Sequence, residues 1–331
     1  MARPTAATSA APRLPLSAPR LDRFVAREIR LSLGGFEFLL SAEGLPLVHE
    51  VDSAYRPFLL PDPTAPPARE TVRVRFEVSP NPSYEGQAIL DSTATWSILA
   101  RGGERALVFR HPSETDPAWV ARFHPGSAEV SVACSPRFVE TIGGTTVLQC
   151  SFFGYPLDQI LAMYLLGNRG ILLHAAGAVV HGRGMAFSGV SGAGKSTLTG
   201  LTAGRPGWEP LSDDRVIVRV GEASPTLWGT PWSGEGQVAE HRSGEMAWLL
   251  FLEQGPTHEI RPLTPGQALP RMFQTASLPW YDAEYLEEAL AACGRIVQTV
   301  PSGVLSFRPE IGAIEAVERL LGPPGSATPS P

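Results

Sequence analysis

The sequence predicts an α/β protein in two parts, a β-rich N-terminal domain over residues 21–152 and an α/β domain over residues 153–321. Residues 21–150 contain short segments of alternating or continuous apolar residues, which is the pattern of strands. From Tyr155 onward, apolar residues at helical spacing alternate with strand-like segments. A glycine-rich segment in the middle of this second part lies between a predicted strand and a predicted helix. These three observations predict the fold class.

The N-terminal domain is predicted to consist of strands separated by turns. Five segments carry the strand pattern: REIRLSLGGFEFLL, TVRVRFEVS, TATWSILARGGERALVFR, AEVSVACS and GGTTVLQCSF. Within the third, WSILA and ALVFR are joined by RGGER and predict a hairpin. The proline-rich LLPDPTAPPARE predicts a loop, and residues 1–20 and 322–331 predict disordered tails. His49, His111 and His124 are isolated from one another, so the sequence predicts no catalytic constellation in this domain.

The composition excludes several classes of function. A net charge of −6 argues against a general nucleic-acid-binding role. No apolar run reaches the ~18–20 residues that a membrane-spanning helix needs. From the charge we therefore expect no nucleic acid as a partner, and from the lack of such a run we expect no membrane. The first residues lack the apolar stretch of a secretory signal. Three cysteines are too few and too scattered for a disulfide framework or a zinc site, and we therefore expect a cytoplasmic protein.

The second domain is predicted to alternate helices and strands. PLDQILAMYLLGNRG has apolar residues at helical spacing and ends at Gly170, a suitable C-cap. ILLHAAGAVV and GMAFSG predict two strands joined by the turn HGRG, and LSDDRVIVRV predicts another strand. The remaining predicted helices run from Ser196 to about Ala203 and over Pro265–Gln274, Asp282–Cys293 and Ile311–Leu320.

The segment SGVSGAGKSTLTG, residues 188–200, holds the only lysine of the chain, since the other 26 of its 27 basic residues are arginines. Gly189, Gly194, Lys195 and Ser196 fill every fixed position of G-x-x-x-x-G-K-[ST], the P-loop motif. Glycines let the backbone amides turn inward around phosphates, and the following helix directs its positive end at them. A slim lysine stem fits inside such a loop, where the planar guanidinium of arginine does not.

This motif predicts an ATP site with Mg²⁺, because the serine hydroxyl is suited to a magnesium ion that bridges the phosphates. The predicted nucleotide-binding residues are Gly189, Val190, Ser191, Gly192, Ala193, Gly194, Lys195, Ser196 and Thr197.

Two adjacent carboxylates follow the motif. Asp213 and Asp214 lie 18 and 19 residues beyond Lys195, a gap that fits a short helix and a return to the phosphates. One carboxylate can hold the metal while the other accepts a proton from an attacking hydroxyl. His174 begins the strand that runs antiparallel to the one before the motif, so we expect it near the γ-phosphate.

LLHAAGAVVHGRGMAFSGVSGAGKSTL, followed by LSDDRVIV, resembles the core of the HPr kinase/phosphorylase family over residues 171–220, and more weakly over the rest of the C-terminal half. That family has a histidine before the loop, a loop of the form G-x-S-G-x-G-K-S, and an Asp-Asp strand after it. The resemblance implies a P-loop kinase domain of the HPr kinase/phosphoenolpyruvate carboxykinase type, and a homo-oligomer. It implies catalytic roles for His174, Lys195, Asp213 and Asp214, with Ser196 and Asp213 as magnesium ligands and Asp214 as the proton acceptor.

The sequence also departs from that family. The β-rich N-terminal domain does not resemble the usual regulatory domain, and GTPWSGEGQVAEHRSG stands where a glutamate-arginine-glycine stretch is expected, with Glu235 or Glu240 as candidate replacements. The chain is more similar to HPr-kinase-related proteins found beside peptide natural-product genes, some of which phosphorylate a serine of a precursor peptide. Phosphoenolpyruvate carboxykinase has a similar loop and Asp pair but is much longer.

The sequence therefore predicts an ATP- and Mg²⁺-dependent kinase that phosphorylates a hydroxyl, most readily a serine of a peptide or small protein. Two alternatives stay open. In one, the protein is an ATP-binding scaffold whose N-terminal half presents a peptide without phosphoryl transfer. In the other, the acceptor is a small molecule, and Trp228, Trp232 or Trp280 lines its pocket.

Overall fold

The structure is a computed structural model that describes residues 22–51, 53–61, 70–92 and 95–322. The predicted tails lie outside these residues except for residue 322, and so does most of the predicted proline-rich loop. None of the helices in the described ranges is long and apolar enough to span a bilayer.

The described part of the N-terminal region is built from strands, with two short 3-10 helices, Ser53–Phe58 and Pro136–Phe138. Its strands are β1 (Asp22–Ala26), β2 (Glu28–Leu33), β3 (Phe36–Ala42), β4 (Leu47–Val51), β5 (Thr71–Val78), β6 (Gln87–Ser92), β7 (Trp96–Arg101), β8 (Glu104–Arg110), β9 (Pro117–Phe123), β10 (Glu129–Cys134), β11 (Val139–Ile142) and β12 (Thr145–Gln149).

These strands form two sheets. The smaller has the order β1-β4-β12-β11, and the larger has the order β2-β3-β5-β10-β9-β8-β7-β6. The predicted hairpin is confirmed, because β7 and β8 pair antiparallel from Trp96–Phe109 to Arg101–Glu104. Strand β5 has the alternation that predicted it. Val72, Val74 and Phe76 are buried on one face, and the charged residues between them are exposed on the other.

The C-terminal region alternates helices and strands, and a 3-10 helix, Gly167–Arg169, links its first two elements. In chain order the elements are α1 (Leu157–Leu166), β13 (Gly170–Val180), β14 (Arg183–Ser188), α2 (Lys195–Thr202), β15 (Trp208–Ser212), β16 (Arg215–Arg219), β17 (Thr226–Trp228), β18 (Ser243–Gln254), β19 (Glu259–Leu263), α3 (Pro265–Phe273), β20 (Ala276–Ser277), α4 (Ala283–Thr299), β21 (Ser302–Phe307) and α5 (Gly312–Leu321). The chain is thus a mixed α/β protein with extensive sheets, as predicted.

Nine strands of this region form one sheet in which β13 is the central strand. One edge of β13 pairs with β16 over residues 170–174 and with β15 over residues 177–180. Its other edge pairs with β20 and then with β14. Because β14 also pairs with β18, which is connected through β17 to β16, these strands close on one another.

Three sequence predictions need correction here. LSDDRVIVRV is not one strand but two, because β15 and β16 pair with different segments of β13 and the chain breaks pairing at Asp213 and Asp214. Helix α1 ends before Gly167, whose φ of 48° terminates it, and the expected cap Gly170 instead begins β13. Helix α4 continues six residues past Cys293 to Thr299, since Ile296 and Val297 are buried in the core.

Helices cover both faces of the large C-terminal sheet. One core combines β-strand residues with α3 and α4, and a second combines the opposite face with α2 and α5. A third core joins the N-terminal sheets to α1 and includes Leu172 and Ile217 from the C-terminal strands and Trp232 from the segment between β17 and β18. The predicted boundary at residue 152 therefore falls between the last N-terminal strand and a helix that packs on the N-terminal sheets.

Buried polar contacts also join the two regions. Arg105 of β8 donates to Asp282, at the start of α4, over 2.7 Å between Nε and Oδ2. The hydroxyl of Tyr164 in α1 donates to the same carboxylate at 2.8 Å. Both Arg105 and Asp282 are at most 5% exposed, so this ion pair fixes the two regions against each other.

Candidate functional site

The glycine loop, residues 189–194, connects the end of β14 to the start of α2. Gly192 and Gly194 have φ values of 80° and 105°, a region that side chains other than glycine rarely adopt. A Cβ on Gly194 would lie 2.7 Å from the ring of Phe307, and one on Gly189 would lie 2.6 Å from the Cβ of Ala193. The three glycines are therefore required by the shape of the loop and by its close packing.

Lys195 is the first residue of α2 and its side chain is buried. Its Nζ donates to the carbonyl oxygens of Gly189 at 2.8 Å and Val190 at 3.2 Å, so the ammonium group lies inside the glycine loop. Burial lowers the pKa of Lys195, although the nearby Asp214 carboxylate acts in the opposite direction. Ser196 and Thr197 follow on the exposed first turn of the helix, where backbone N–H groups have no partner within the helix.

Asp213 and Asp214 lie at the break between β15 and β16, and they differ in burial and in the groups that they contact. Asp213 is 1% exposed, and its carboxylate accepts the backbone N–H groups of Gly234 at 2.8 Å, Gly236 at 2.7 Å and Val238 at 3.3 Å. Glycine is needed at position 236 because a Cβ there would lie 2.7 Å from Asp213 Oδ2. Asp213 therefore anchors the segment 234–238.

Asp214 is half-buried and lies among basic side chains. Its Oδ1 lies 3.1 Å from His174 Nδ1, and its Oδ2 lies 3.6 Å from Arg215 Nε. Burial raises the pKa of Asp214, but His174, Arg215 and Lys195 together outweigh burial and hold the pKa below its ordinary value. This carboxylate is therefore ionised at neutral pH.

Backbone pairing brings His174 and the glycine loop together. His174 pairs with Arg215 across β13 and β16, and the next residue, Ala175, pairs with Ser188 at the end of β14. The Ala175 N–H donates to the Asp214 carbonyl at 2.9 Å. Ser188, buried directly before the loop, donates through Oγ to Thr275 Oγ1 at 2.8 Å. The sheet thus brings His174, Asp214 and the start of the glycine loop close together.

The donors around the loop suit a magnesium ion that is held largely by phosphates. The described residues contain no group of three or more His, Cys, Asp or Glu side chains able to hold a metal by themselves. Mg²⁺ commonly takes only one or two protein ligands and completes its shell with phosphate oxygens and water. Ser196 and Asp214 are partly or fully accessible beside the loop, whereas the predicted ligand Asp213 already accepts three N–H groups.

A cleft of about 430 Å³ adjoins the glycine loop on the side of β21. Gly194 and Thr197 form one wall, and Phe307, Arg308 and Gln254 contribute to the others. This cleft is next to the first turn of α2 and offers an aromatic ring, a guanidinium and an amide to a ligand.

Other predicted residues lie elsewhere. Trp232 is buried and its Nε1 donates to Asp158 Oδ2 at 2.8 Å, and Trp228 lies within β17. Only Trp280 of the three tryptophans is exposed beside a cleft. Glu235 and Glu240 are exposed. Arg215 was not among the predicted site residues, although it directly follows the two aspartates in the chain.

Among known proteins, similarity to this chain is found in solved structures. No family model matches the chain, and no curated protein matches it. Sixty-six chains of solved structures are similar to it. One is the Hpr(Ser) kinase/phosphatase from Coxiella burnetii, which is 13% identical, with a TM-score of 0.28, over 44% of this chain and 93% of that chain.

Proposed function

We propose that this protein is an ATP- and Mg²⁺-dependent kinase of the HPr-kinase-like type that phosphorylates a hydroxyl, typically a serine of a peptide or small protein. One observation carries the proposal: an ionised carboxylate, Asp214, lies among His174, Arg215 and Lys195 beside a glycine loop that fits phosphates. Transfer of a phosphoryl group to a hydroxyl needs a base that accepts the hydroxyl proton and a site that holds the phosphate donor beside it.

The glycine loop and α2 are proposed to hold the triphosphate. Backbone N–H groups of the loop and of the first helical turn would donate to phosphate oxygens. Lys195 Nζ, which now contacts the carbonyls of Gly189 and Val190, would turn to the β- and γ-phosphates. The adjoining cleft beside Phe307 is the natural place for the nucleoside, since it borders the same first turn of α2.

Ser196 is the side chain available to hold Mg²⁺ with the phosphates. The ion would neutralise charge on the β- and γ-phosphate oxygens. The contacts of Asp213 support a different role from the predicted one, because its carboxylate anchors residues 234–238 and is withdrawn from solvent. We therefore assign Asp213 as a positioning residue.

Asp214 is proposed to accept the proton of the acceptor hydroxyl. As that O–H bond breaks, the hydroxyl oxygen bonds to the γ-phosphorus, and the bond from phosphorus to the bridging oxygen breaks to release ADP. Because the pKa of Asp214 is held low, the carboxylate is ionised before the acceptor arrives. His174, 3.1 Å from Oδ1, is suited to orient the carboxylate so that its other oxygen faces the acceptor.

The test is phosphoryl transfer by the full-length protein. We expect incubation with ATP, Mg²⁺ and the peptides encoded beside its gene to add the mass of one phosphoryl group to a peptide, detected by mass spectrometry. Lys195→Ala should abolish that product, because it removes the cation that reaches the phosphates.

A binding measurement separates the kinase from the scaffold. Calorimetric titration with ATP shows whether the site is occupied in the wild-type protein. If ATP binds and neither a phosphorylated product nor ADP forms with peptides, small hydroxyl compounds or water, the kinase proposal is wrong and a nucleotide-binding scaffold is favoured.

A further inference from the structure

We propose that the hydroxyl acceptor docks in a second cleft, and that this acceptor is a peptide with a large apolar side chain beside its phosphorylated residue. The proposal rests on the proposed kinase function and adds the location and chemistry of the acceptor site. The aromatic cleft, about 330 Å³ in volume, is lined among others by Trp96, Tyr155, Met163, Arg215, Ser277 and Trp280.

The aromatic cleft is linked to the proposed base through Arg215. Arg215 lines it, and the same guanidinium places Nε 3.6 Å from Asp214 Oδ2 and donates through a terminal nitrogen to Ser277 Oγ at 3.1 Å. Leu172 also lines it and lies two residues before His174 on β13, so the two side chains are on the same face of the strand. A ligand in the cleft therefore reaches the guanidinium that contacts Asp214.

The mouth of the cleft exposes aromatic surface. Tyr155 and Trp280 are 60% and 59% exposed. Among the described Phe, Tyr and Trp side chains, the other exposed one is Phe24, in strand β1. The ring of Tyr155 meets that of Trp96 edge-on, with centroids 5.6 Å apart. Large aromatic side chains left open around a cavity are typical of a binding site, because covering them with an apolar partner is favourable.

The charge of the residues that line the aromatic cleft determines which peptide side chain fits there. Among the described residues that line the cleft, Arg215 is the one charged side chain, and none is a carboxylate. A cationic side chain in the cleft would face Arg215, whereas Asp214 does not line the cleft, so a lysine or arginine beside the acceptor hydroxyl is disfavoured. An aromatic or large aliphatic side chain matches the rings and the apolar walls contributed by Met163 and Leu172.

Both regions of the protein build this cleft. Trp96 belongs to the N-terminal strand β7, Tyr155 precedes α1, and Trp280 precedes α4. The N-terminal region therefore supplies part of the acceptor site, which gives it a role in substrate selection.

The experiment uses the full-length protein and a positional library of short peptides with a central serine. We expect wild-type protein to favour peptides with Trp, Phe, Leu or Ile next to the serine and to discriminate against Lys and Arg there. Trp280→Ala should raise the KM for a preferred peptide about tenfold or more, since a large aromatic contact is lost. The Kd for ATP should stay the same.

Phe24→Ala is the matched control, because it removes another exposed aromatic side chain that lies outside the cleft. It should leave the peptide KM unchanged, and thermal unfolding of both variants shows that they are folded. An unchanged KM in Trp280→Ala, a flat preference beside the serine, or transfer to small hydroxyl compounds but to no peptide would overturn this proposal. Failure of the wild-type protein to turn over ATP with any acceptor would instead overturn the kinase function itself.

Discussion

Two aspartates organise two polar clusters of very different character. Asp158 in α1 is completely buried and accepts from the Tyr55 hydroxyl, from Trp232 Nε1 at 2.8 Å and from the backbone N–H of Gln159 at 2.7 Å. Asp214 is half-buried and is surrounded by His174, Arg215 and Lys195. The donors around Asp158 are neutral, whereas those around Asp214 are cationic or can become so.

The difference in donors produces opposite pKa shifts. Burial raises the pKa of Asp158 even though its hydrogen bonds work in the other direction. Burial also acts to raise the pKa of Asp214, but there the neighbouring cations prevail and the pKa falls. The first cluster is therefore suited to holding elements together, and the second to keeping a carboxylate charged where chemistry is proposed.

The largest expected effect is on catalysis by Asp214→Asn. The amide has the same shape but accepts no proton, so kcat should fall by about 10²–10⁴-fold, the usual contribution of a general base. The free energy of unfolding should change little, because the side chain is partly open to solvent. Single-turnover transfer kinetics and urea unfolding measure the two quantities.

Asp213→Asn is the neighbouring control for this comparison. Its amide nitrogen would face the Gly236 N–H that the carboxylate now accepts, which should cost about 1–3 kcal/mol in stability. Phosphoryl transfer by the folded protein should remain measurable. A rate loss in Asp213→Asn as large as that in Asp214→Asn, without a stability loss, would reverse the roles assigned to the pair.

The next effect is on stability, at Asp158. Asp158→Ala leaves the buried Tyr55 hydroxyl and Trp232 Nε1 without their acceptor, and should lower the free energy of unfolding by about 2–5 kcal/mol. Asp158→Asn keeps an acceptor oxygen and should cost less. Urea unfolding gives both values, and ATP affinity at a temperature where each variant is folded should match the wild type.

If Asp158→Ala instead abolished ATP binding while leaving stability intact, the contrast between the clusters would fail.

The two polar clusters also differ in how much of them could be predicted from the sequence. The glycine loop was predictable because its requirements are local: Gly194 needs a positive φ, and Lys195 must reach back only to Gly189 and Val190. Asp158 was not, because its partners Tyr55 and Trp232 are 103 and 74 residues away.

The different surroundings of Asp213 and Asp214 were also beyond the sequence. The adjacent aspartates differ because β15 and β16 pair with separate segments of β13, and such pairing depends on contacts far along the chain. The predicted elements were most accurate where the pattern was strong, as in β5 and the β7–β8 hairpin. Strand β18, the 12-residue SGEMAWLLFLEQ, was not predicted, since a continuous apolar run does not distinguish a strand from a buried helix.

The last prediction uses pH to separate stability from catalysis. His49 is buried beside Phe24 and Phe153, and burial lowers its pKa from 6.5 to about 4. The unfolded chain therefore takes up the proton first as the pH falls, so stability present above about pH 6.5 is lost progressively toward pH 4. The loss is at most about 3.5 kcal/mol, because one pKa unit corresponds to about 1.4 kcal/mol.

Urea unfolding at a series of pH values, compared with His49→Gln, isolates this contribution. The variant cannot take up the proton, so the difference in the free energy of unfolding between the two proteins should shrink or change sign between pH 6.5 and 4. Ionisation of Asp214 should not change in the same range above its lowered pKa. Parallel pH dependence in wild type and His49→Gln would show that His49 is protonated in the folded protein and would remove it as the source of acid sensitivity.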